Sequence, residues 1–411
     1  MDHPELLPHL FRTEYHKLVA VLARRFGFEQ LETAEDLTSE TFLTAAQTWG
    51  PRGVPPHPVA WLHRVAQNKA KTYLQRTRAY QALNVPEAAL ISQPEVDLSA
   101  QNIQDSQLAM MFAICHPALA PAAQIGLSLR ILCGFGVGEI AGAFLTSKET
   151  IQKRLFRAKL TLREVRTVIE LPGPAQLEQR LAAVLSTVYL LFNKGYYSAH
   201  GNQLVQKDLC LEAIRLGTLL VENARTAQPE VYALMALMCF HTSRLEARLD
   251  PQGDVIFYEE QNSSRWNEEW VRKGGYFLQR AAAGISVSKY HLEAGLAFWS
   301  TIQADTPEKW ASMLQLHDLL RHVDASPLAA LSRVYVLAKV VGKSAAIAEA
   351  KKLSLAAHPF YWALLGELYR GLDNATAAAH LRQAYLLSRN EADKRAIQRK
   401  LTEVEGLNTD N

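Results

Sequence analysis

The stretch GEIAGAFLTSKETIQKRLFRAKLTLREVR, Gly138–Arg166, decides how this chain is read. Ile140, Ala141 and Phe144 fall on one face of a first helix, and Ile151, Leu155, Ala158 and Leu162 recur at helical spacing on a second. Leu145-Thr146-Ser147 leaves room between them for a turn only. The second helix has a start signal in one of two forms: Thr146 with Glu149 as a capping box, or Ser147 as the cap. Its outer face carries Lys148, Lys153, Arg154, Arg157 and Lys159. An apolar face that fixes the angle, with cationic donors opposite, is what a helix-turn-helix needs to meet phosphates and base edges. Taken alone, such a helix has a second reading, a solvated charged face.

With 411 residues and 45.9 kDa, the chain is long for one domain, and two or three are expected. Hydrophobic residues make up 48% and mean hydropathy is -0.09, enough for an ordinary core in each domain. No run of about 18 apolar residues occurs, so no membrane helix is expected. The opening MDHPELLPHLFRTEYHK lacks the basic-then-apolar order of a secretion signal, and a cytoplasmic protein is expected. The net charge is only +3, so the local concentration of cations matters more than the total. Between Gly136 and Val168, Lys148, Lys153, Arg154, Arg157, Lys159, Arg163 and Arg166 face only Glu139, Glu149 and Glu164. The four cysteines, Cys115, Cys133, Cys210 and Cys239, form no C-x-x-C pair, which fits buried thiols in a reducing compartment. The thirteen histidines lack ligand spacing. No metal or cofactor is expected.

The expected fold is all-α. Residues 1–78 read as a first helical module, broken by the Pro/Gly loop from Gly50 to Pro58. Residues 79–101, with Pro86 and Pro94, read as a linker, 102–170 as the helix-turn-helix module, and 175–411 as a helical extension after Leu171-Pro172-Gly173-Pro174. Asp254 to Tyr258 reads as one short extended piece after the turn Pro251-Gln252-Gly253. In the extension, Trp362, Leu365, Gly366 and Tyr369 reproduce W-x-x-L-G-x-x-Y, the first-helix signature of a tetratricopeptide unit, with Ala377 and Ala384 following. Pro327 to Leu355 reads as a neighbouring helical hairpin. An irregular helical bundle is the competing reading.

A second polar constellation lies in the first module, in PVAWLHRVAQNKAKTYLQR, Pro58–Arg76. Leu62, Val65, Ala66, the stem of Lys69, Tyr73 and Leu74 line a buried side, while Arg64, Asn68, Lys71, Gln75 and Arg76 project elsewhere. Arg and Lys supply phosphate contacts, and Asn and Gln read base edges. Trp61 reads as a core anchor rather than a stacking platform. Upstream, in AEDLTSETFLTAAQTWG, Asp36 and Glu40 share a helix face opposite Leu37, Thr41, Ala45 and Trp49. That acidic pair is either a solvated face or a docking surface for a basic partner.

These motifs, in this order and spacing, resemble bacterial RNA polymerase sigma factors of the extracytoplasmic-function type over the first 170 or so residues. LLFNKGYYSAHG (Leu190–Gly201) and EEQNSSRW (Glu259–Trp266) resemble the subgroup with a long tetratricopeptide-like extension. The resemblance implies a factor that binds core RNA polymerase and promoter DNA and has no enzymatic activity. It implies that Asp36 and Glu40 dock on polymerase, and that Arg64, Asn68, Lys71 and Arg76 engage the promoter element near the start site. Lys148, Thr150, Gln152, Lys153, Arg154 and Arg157 would read the distal element. Two departures stand out: Thr72, where the family usually has an acid, and Leu145, where many members have glycine in the turn.

Gly136-Val137-Gly138-Glu139-Ile140-Ala141 fits a relaxed G-x-G-x-x-A fingerprint, but no alternating strand-helix pattern surrounds it. Asn193 to Ser198 reads as a turn with packed tyrosines, or as the lining of a ligand pocket. Arg265-Trp266 reads as a structural, cation-π contact. Two other function classes compete. One is a DNA-binding regulator whose helical repeats sense a peptide or small molecule; the other is an enzyme in the extension, for which no catalytic set is visible. A protein or small-molecule regulator of the extension is a further expected partner.

Overall fold

In a computed structural model of the chain, the described residues are 3–82, 96–196, 203–248, 250, 256, 258–324, 326–388 and 391–409. All regular structure among them is helical. Pro86 and Pro94, Tyr197, Ser198 and Gly201, and Asp254, Val255 and Phe257 of the expected extended piece lie outside the described residues. No described helix is long and apolar enough to cross a membrane. The chain divides into two compact units, Met1–Leu191 and Phe192–Asn411.

Unit 1 is built around α1 (His3–Phe26), which packs against α2 (Leu31–Arg52), α3 (Pro58–Ala82) and α4 (Ala100–Ile114). Leu18, Val19, Leu22 and Ala23 put its apolar face in the core. Glu14, also buried, holds α3 through His63 and is paired with Lys17 at 2.7 Å. Burial works to raise its pKa, but the bonds from His63 and Lys17 outweigh that and lower it. From Ser106 to Ile114 every residue of α4 is buried. The helices of the stretch read as a helix-turn-helix follow: α5 (Pro121–Leu127), a widened turn at Ser128–Leu132, α6 (Val137–Phe144) and α7 (Lys148–Glu164). Residues 127–132, just before the fingerprint that opens at Gly136, are therefore helical, and no strand among the described residues precedes it. The extension expected from residue 175 opens with α8 (Pro174–Tyr196), whose residues up to Leu191 belong to unit 1. Arg180 donates to Phe112 O, and Thr187 donates to Gln124 Oε1 at 2.9 Å.

Both helices of the motif end in the same device. Leu145 stands at φ 51°, ψ 49°, in the left-handed region. Its N–H donates to Gly142 O, and the N–H of Thr146 donates to Ala141 O. Arg166, φ 50°, repeats the pattern after α7, with Arg166 N to Arg163 O and Thr167 N to Leu162 O. These are Schellman caps, which normally use glycine because a Cβ in this region costs about 1–2 kcal/mol. So the turn keeps its angle although leucine occupies it. Leu145 is 69% exposed and little packing is lost with its side chain. Leu145→Gly should therefore stabilise unit 1 by about 1 kcal/mol, after the extra backbone entropy of glycine is subtracted. A melting temperature that falls rather than rises by a few degrees would contradict this.

After the last residues of α8, unit 2 continues with α9 (Gln203–Glu222) and α10 (Pro229–Ser243). α10 is apolar all round, and nearly every residue from Val231 to Ser243 is buried, as a helix surrounded by others requires. It packs against α9, α11 (Glu268–Ala281) and α12 (Lys289–Trp299). Then come α13 (Pro307–Val323), α14 (Pro327–Val341), α15 (Lys343–Ala350), α16 (Pro359–Tyr369), α17 (Asn374–Leu387) and α18 (Glu391–Thr409), each packed against its neighbour in sequence. α14 and α15 form the hairpin expected at Pro327–Leu355. Gly366 lets α16 and α17 approach: a Cβ there would lie 2.7 Å from Leu381 Cγ. Trp362 and Tyr369 each pack against two successive core clusters.

Gly195 lies inside α8 rather than at a turn, because the helix runs on to Tyr196. Tyr196 itself packs, stacked on Phe192 and tilted on His241. The cation over the Trp266 ring is Arg244, at 5.4 Å, and not its sequence neighbour Arg265, which is exposed. Burial raises the thiol pKa of Cys115 to about 11 and of Cys210 and Cys239 to about 12.

His317 on α13 is buried, with Nδ1 unpartnered. Burial, then the Arg333 cation, press its pKa from 6.5 down to about 4, against a small opposing pull from Asp318. A depressed histidine contributes stability in full above its unfolded pKa and loses it as pH falls towards the folded one. Unit 2 should therefore lose about 2 kcal/mol from this residue between neutral pH and pH 5. His317→Gln should flatten that segment of the stability–pH curve. Identical slopes for the two proteins would dismiss the assignment.

Candidate nucleic-acid interface

Three helices of unit 1 carry the polar residues singled out by sequence. On α2 the core side is Leu31, Ala34, Thr38, Thr41, Phe42, Ala45 and Trp49. Trp49 meets Trp61 edge-on at 5.3 Å, so Trp61 is an anchor between α2 and α3. The opposite side of α2 exposes Asp36 and Glu40, and continues through Leu43, 56% exposed, to Gln47. Glu40 accepts from Lys69 of α3 at 3.0 Å, while Asp36 stays in solvent. Sequence reading missed Leu43. Its signal is position, since an apolar residue three after Glu40 continues the acidic stripe.

On α3, Leu62, Ala66 and Ala70 are buried, and Arg64, Asn68, Lys71, Thr72, Gln75 and Arg76 are exposed. Steps of four, three and four place Arg64, Asn68, Lys71 and Gln75 in one stripe, with Arg76 beside it. Thr72 donates to Asn68 O of its own helix at 2.9 Å.

On α7 the start is Ser147, whose Oγ accepts from Thr150 N at 3.2 Å; the alternative cap at Thr146 is not used. Ile151, Leu155, Ala158 and Leu162 are buried as the spacing requires. Lys148, Thr150, Gln152, Lys153 and Arg157 are exposed. Arg154 is half-buried, its guanidinium 5.1 Å over the Phe144 ring and one nitrogen sealed from solvent. It thus also joins α6 to α7. Phe156, 68% exposed, stands on the same open side and was not singled out by sequence.

Lys159 departs from the expected outer face. Its Nζ donates to Glu35 Oε2 of α2 at 2.6 Å, and Arg163 pairs with Glu32. These two cations lie on the flank of α7 that meets α2, and Glu32 and Glu35, three residues apart, receive them. Arg12 of α1 likewise reaches Glu139 of α6 at 3.4 Å. Two long basic side chains of α7 therefore arrive already paired.

The model of sigma-70 region 2 matches residues 11–80, the span of α1 to α3. The chain carries a sigma-70 region 2. Its region 2 holds Asp36, Glu40 and the α3 stripe. A second model, a family of unknown function (DUF6596), matches residues 180–282, from within α8 to just past α11. An uncharacterized protein of Rhizobium meliloti (strain 1021) is 32% identical over 361 residues, covering 85% of each chain. No solved structure matches.

Proposed function

We propose that the chain is a cytoplasmic transcription initiation factor of the extracytoplasmic-function type. In this reading α2 docks on core RNA polymerase through Asp36, Glu40 and Leu43. Arg64, Asn68, Lys71 and Arg76 of α3 engage the proximal promoter element. Lys148, Thr150, Gln152, Lys153, Arg154 and Arg157 of α7 read the distal one. The observation that carries it is the exposed Arg64–Arg76 stripe on α3 within a sigma-70 region 2 match. Such a factor needs no chemistry of its own. Holding two modest DNA-reading surfaces on one polymerase makes the second contact effectively intramolecular.

The same reading makes the helices after α8 a tetratricopeptide-like regulatory extension that responds to a protein or small molecule. Support comes from the sequence-neighbour packing of α12 to α18 and the tight α16–α17 pair. Run-off transcription with purified core polymerase and a genomic promoter library tests the whole. Specific transcripts that need the added chain are expected, and none from any promoter would overturn the proposal. The truncated form for the regulatory part should end after Tyr196. A cut at Pro174 would remove Arg180 and Thr187 from the core of unit 1. Unchanged promoter output from that form would refute regulation by the extension.

A further inference from the structure

Within unit 2 a cavity of about 480 Å³ opens between the segment after α10 and helices α13 and α14. That volume lies in the range of small-molecule sites. Its wall is braced before any ligand arrives. The Arg244 guanidinium lies against the rings of both Tyr258 and Trp266, at 4.7 Å and 5.4 Å, and both rings line the cavity. Arg244 also donates twice to Gln261 Oε1, at 3.2 Å and 2.9 Å. Tyr258 Oη donates to Ser300 O at 3.1 Å, which directs its lone pairs towards Lys309.

The charges on that wall are unevenly committed. Both carboxylates are occupied: Glu259 accepts from Tyr335 and from Lys339 Nζ, and Asp305 accepts from the Trp310 indole. The donors are not all occupied. Lys309 is 2% exposed, and its ammonium donates only to neutral oxygens, Tyr258 Oη at 3.0 Å and Ile302 O at 2.7 Å. A third N–H remains. A buried ammonium without a counter-charge is costly, and an anion placed beside it recovers that cost. The Trp266 indole N–H is buried and has no acceptor. Ser263 and Gln303 on the same wall add further hydrogen-bonding groups.

We infer that this cavity binds a small organic carboxylate. Its oxygens take the open N–H of Lys309, and its body lies along the aromatic wall of Tyr258 and Trp266. An anion suits the site because the groups still to be satisfied are donors, and because Glu259, one of the two acids on the wall, is already paired with the Lys339 cation.

The test uses the purified full chain, without DNA or polymerase, so its failure leaves the promoter reading untouched. The probes are indole-3-acetate, benzoate and citrate, with indole-3-acetamide and benzamide as uncharged counterparts. Binding is followed by intrinsic tryptophan fluorescence and by the shift in melting temperature. At least one acid should bind with a Kd below about 1 mM, and its amide at least about tenfold more weakly. Lys309→Met should lose about tenfold or more. If Lys309→Met does not give a native far-UV spectrum, the Ser263→Ala/Gln303→Leu double variant is read instead, with the same loss expected. The inference is overturned if no acid binds at about 10 mM, if amide and acid bind equally, or if the folded variant keeps wild-type affinity.

Discussion

Lys153→Ala combined with Arg157→Ala should lower affinity for a promoter duplex on the order of 10²-fold at 0.1 M salt. Both side chains are exposed on the open side of α7, one turn apart, and neither has an ion-pair partner among the described residues. Each phosphate contact releases counterions and contributes about 0.9 to the slope of log affinity against log salt. Two lost contacts should flatten that slope by about 2, which at 0.1 M amounts to roughly 60-fold relative to 1 M salt. Any base-edge contact adds about 1–3 kcal/mol of discrimination. Arg154 is a poorer choice for the pair. It also covers Phe144, so its removal would mix lost packing with lost binding. Fluorescence anisotropy across a salt series supplies the measurement. Equal affinities for wild type and double variant at every salt concentration would remove α7 from the interface.

The largest expected stability effect lies in unit 2. Phe240 is 1% exposed, tilted against Phe298 at 5.7 Å, and pressed on α11 at Gly274. Phe240→Ala should cost about 3–5 kcal/mol, because neighbouring helices close the cavity only in part. For a domain whose whole margin is about 5–15 kcal/mol, that is a large fraction. Gly274→Ala attacks the same contact from the other side. Its Cβ would lie 2.6 Å from Phe240 Cε1, so overpacking of about 1–3 kcal/mol is expected. The two changes should not add. In Phe240→Ala the new methyl at 274 enters vacated space, and its penalty should vanish. Denaturant unfolding of the four proteins closes the cycle, and strict additivity would show that α10 and α11 do not meet there.

What could be read from sequence divides along physical lines. Ile151, Leu155, Ala158 and Leu162 announced the buried face of α7 because a helix repeats every 3.6 residues, and local periodicity needs no partner. The stripe on α3 followed for the same reason. The choice between Thr146 and Ser147 did not, since two hydroxyls one residue apart serve equally well until the turn is fixed. Lys159 was misjudged because its fate depends on Glu35, 124 residues away. The ring partner of Trp266 was misjudged in the opposite sense: Arg265 is adjacent in sequence, but Arg244 is the cation that the fold brings over the indole. Gly195 invited a turn, yet the helix continues through it. The cavity beside Lys309 was not foreseen, although Glu259–Trp266 was singled out, because its wall is gathered from four separate segments.

The pairing of Lys159 with Glu35 and of Arg163 with Glu32 bears on kinetics as well as on equilibrium. Long-range attraction between a protein and a polyanion depends on the field the protein projects, and a cation beside a carboxylate projects little of it. α7 therefore approaches a duplex as a weaker electrostatic lure than its count of lysines and arginines implies. Glu32→Gln with Glu35→Gln should speed the encounter at low ionic strength, with the gain fading once the Debye length shrinks to a few ångströms.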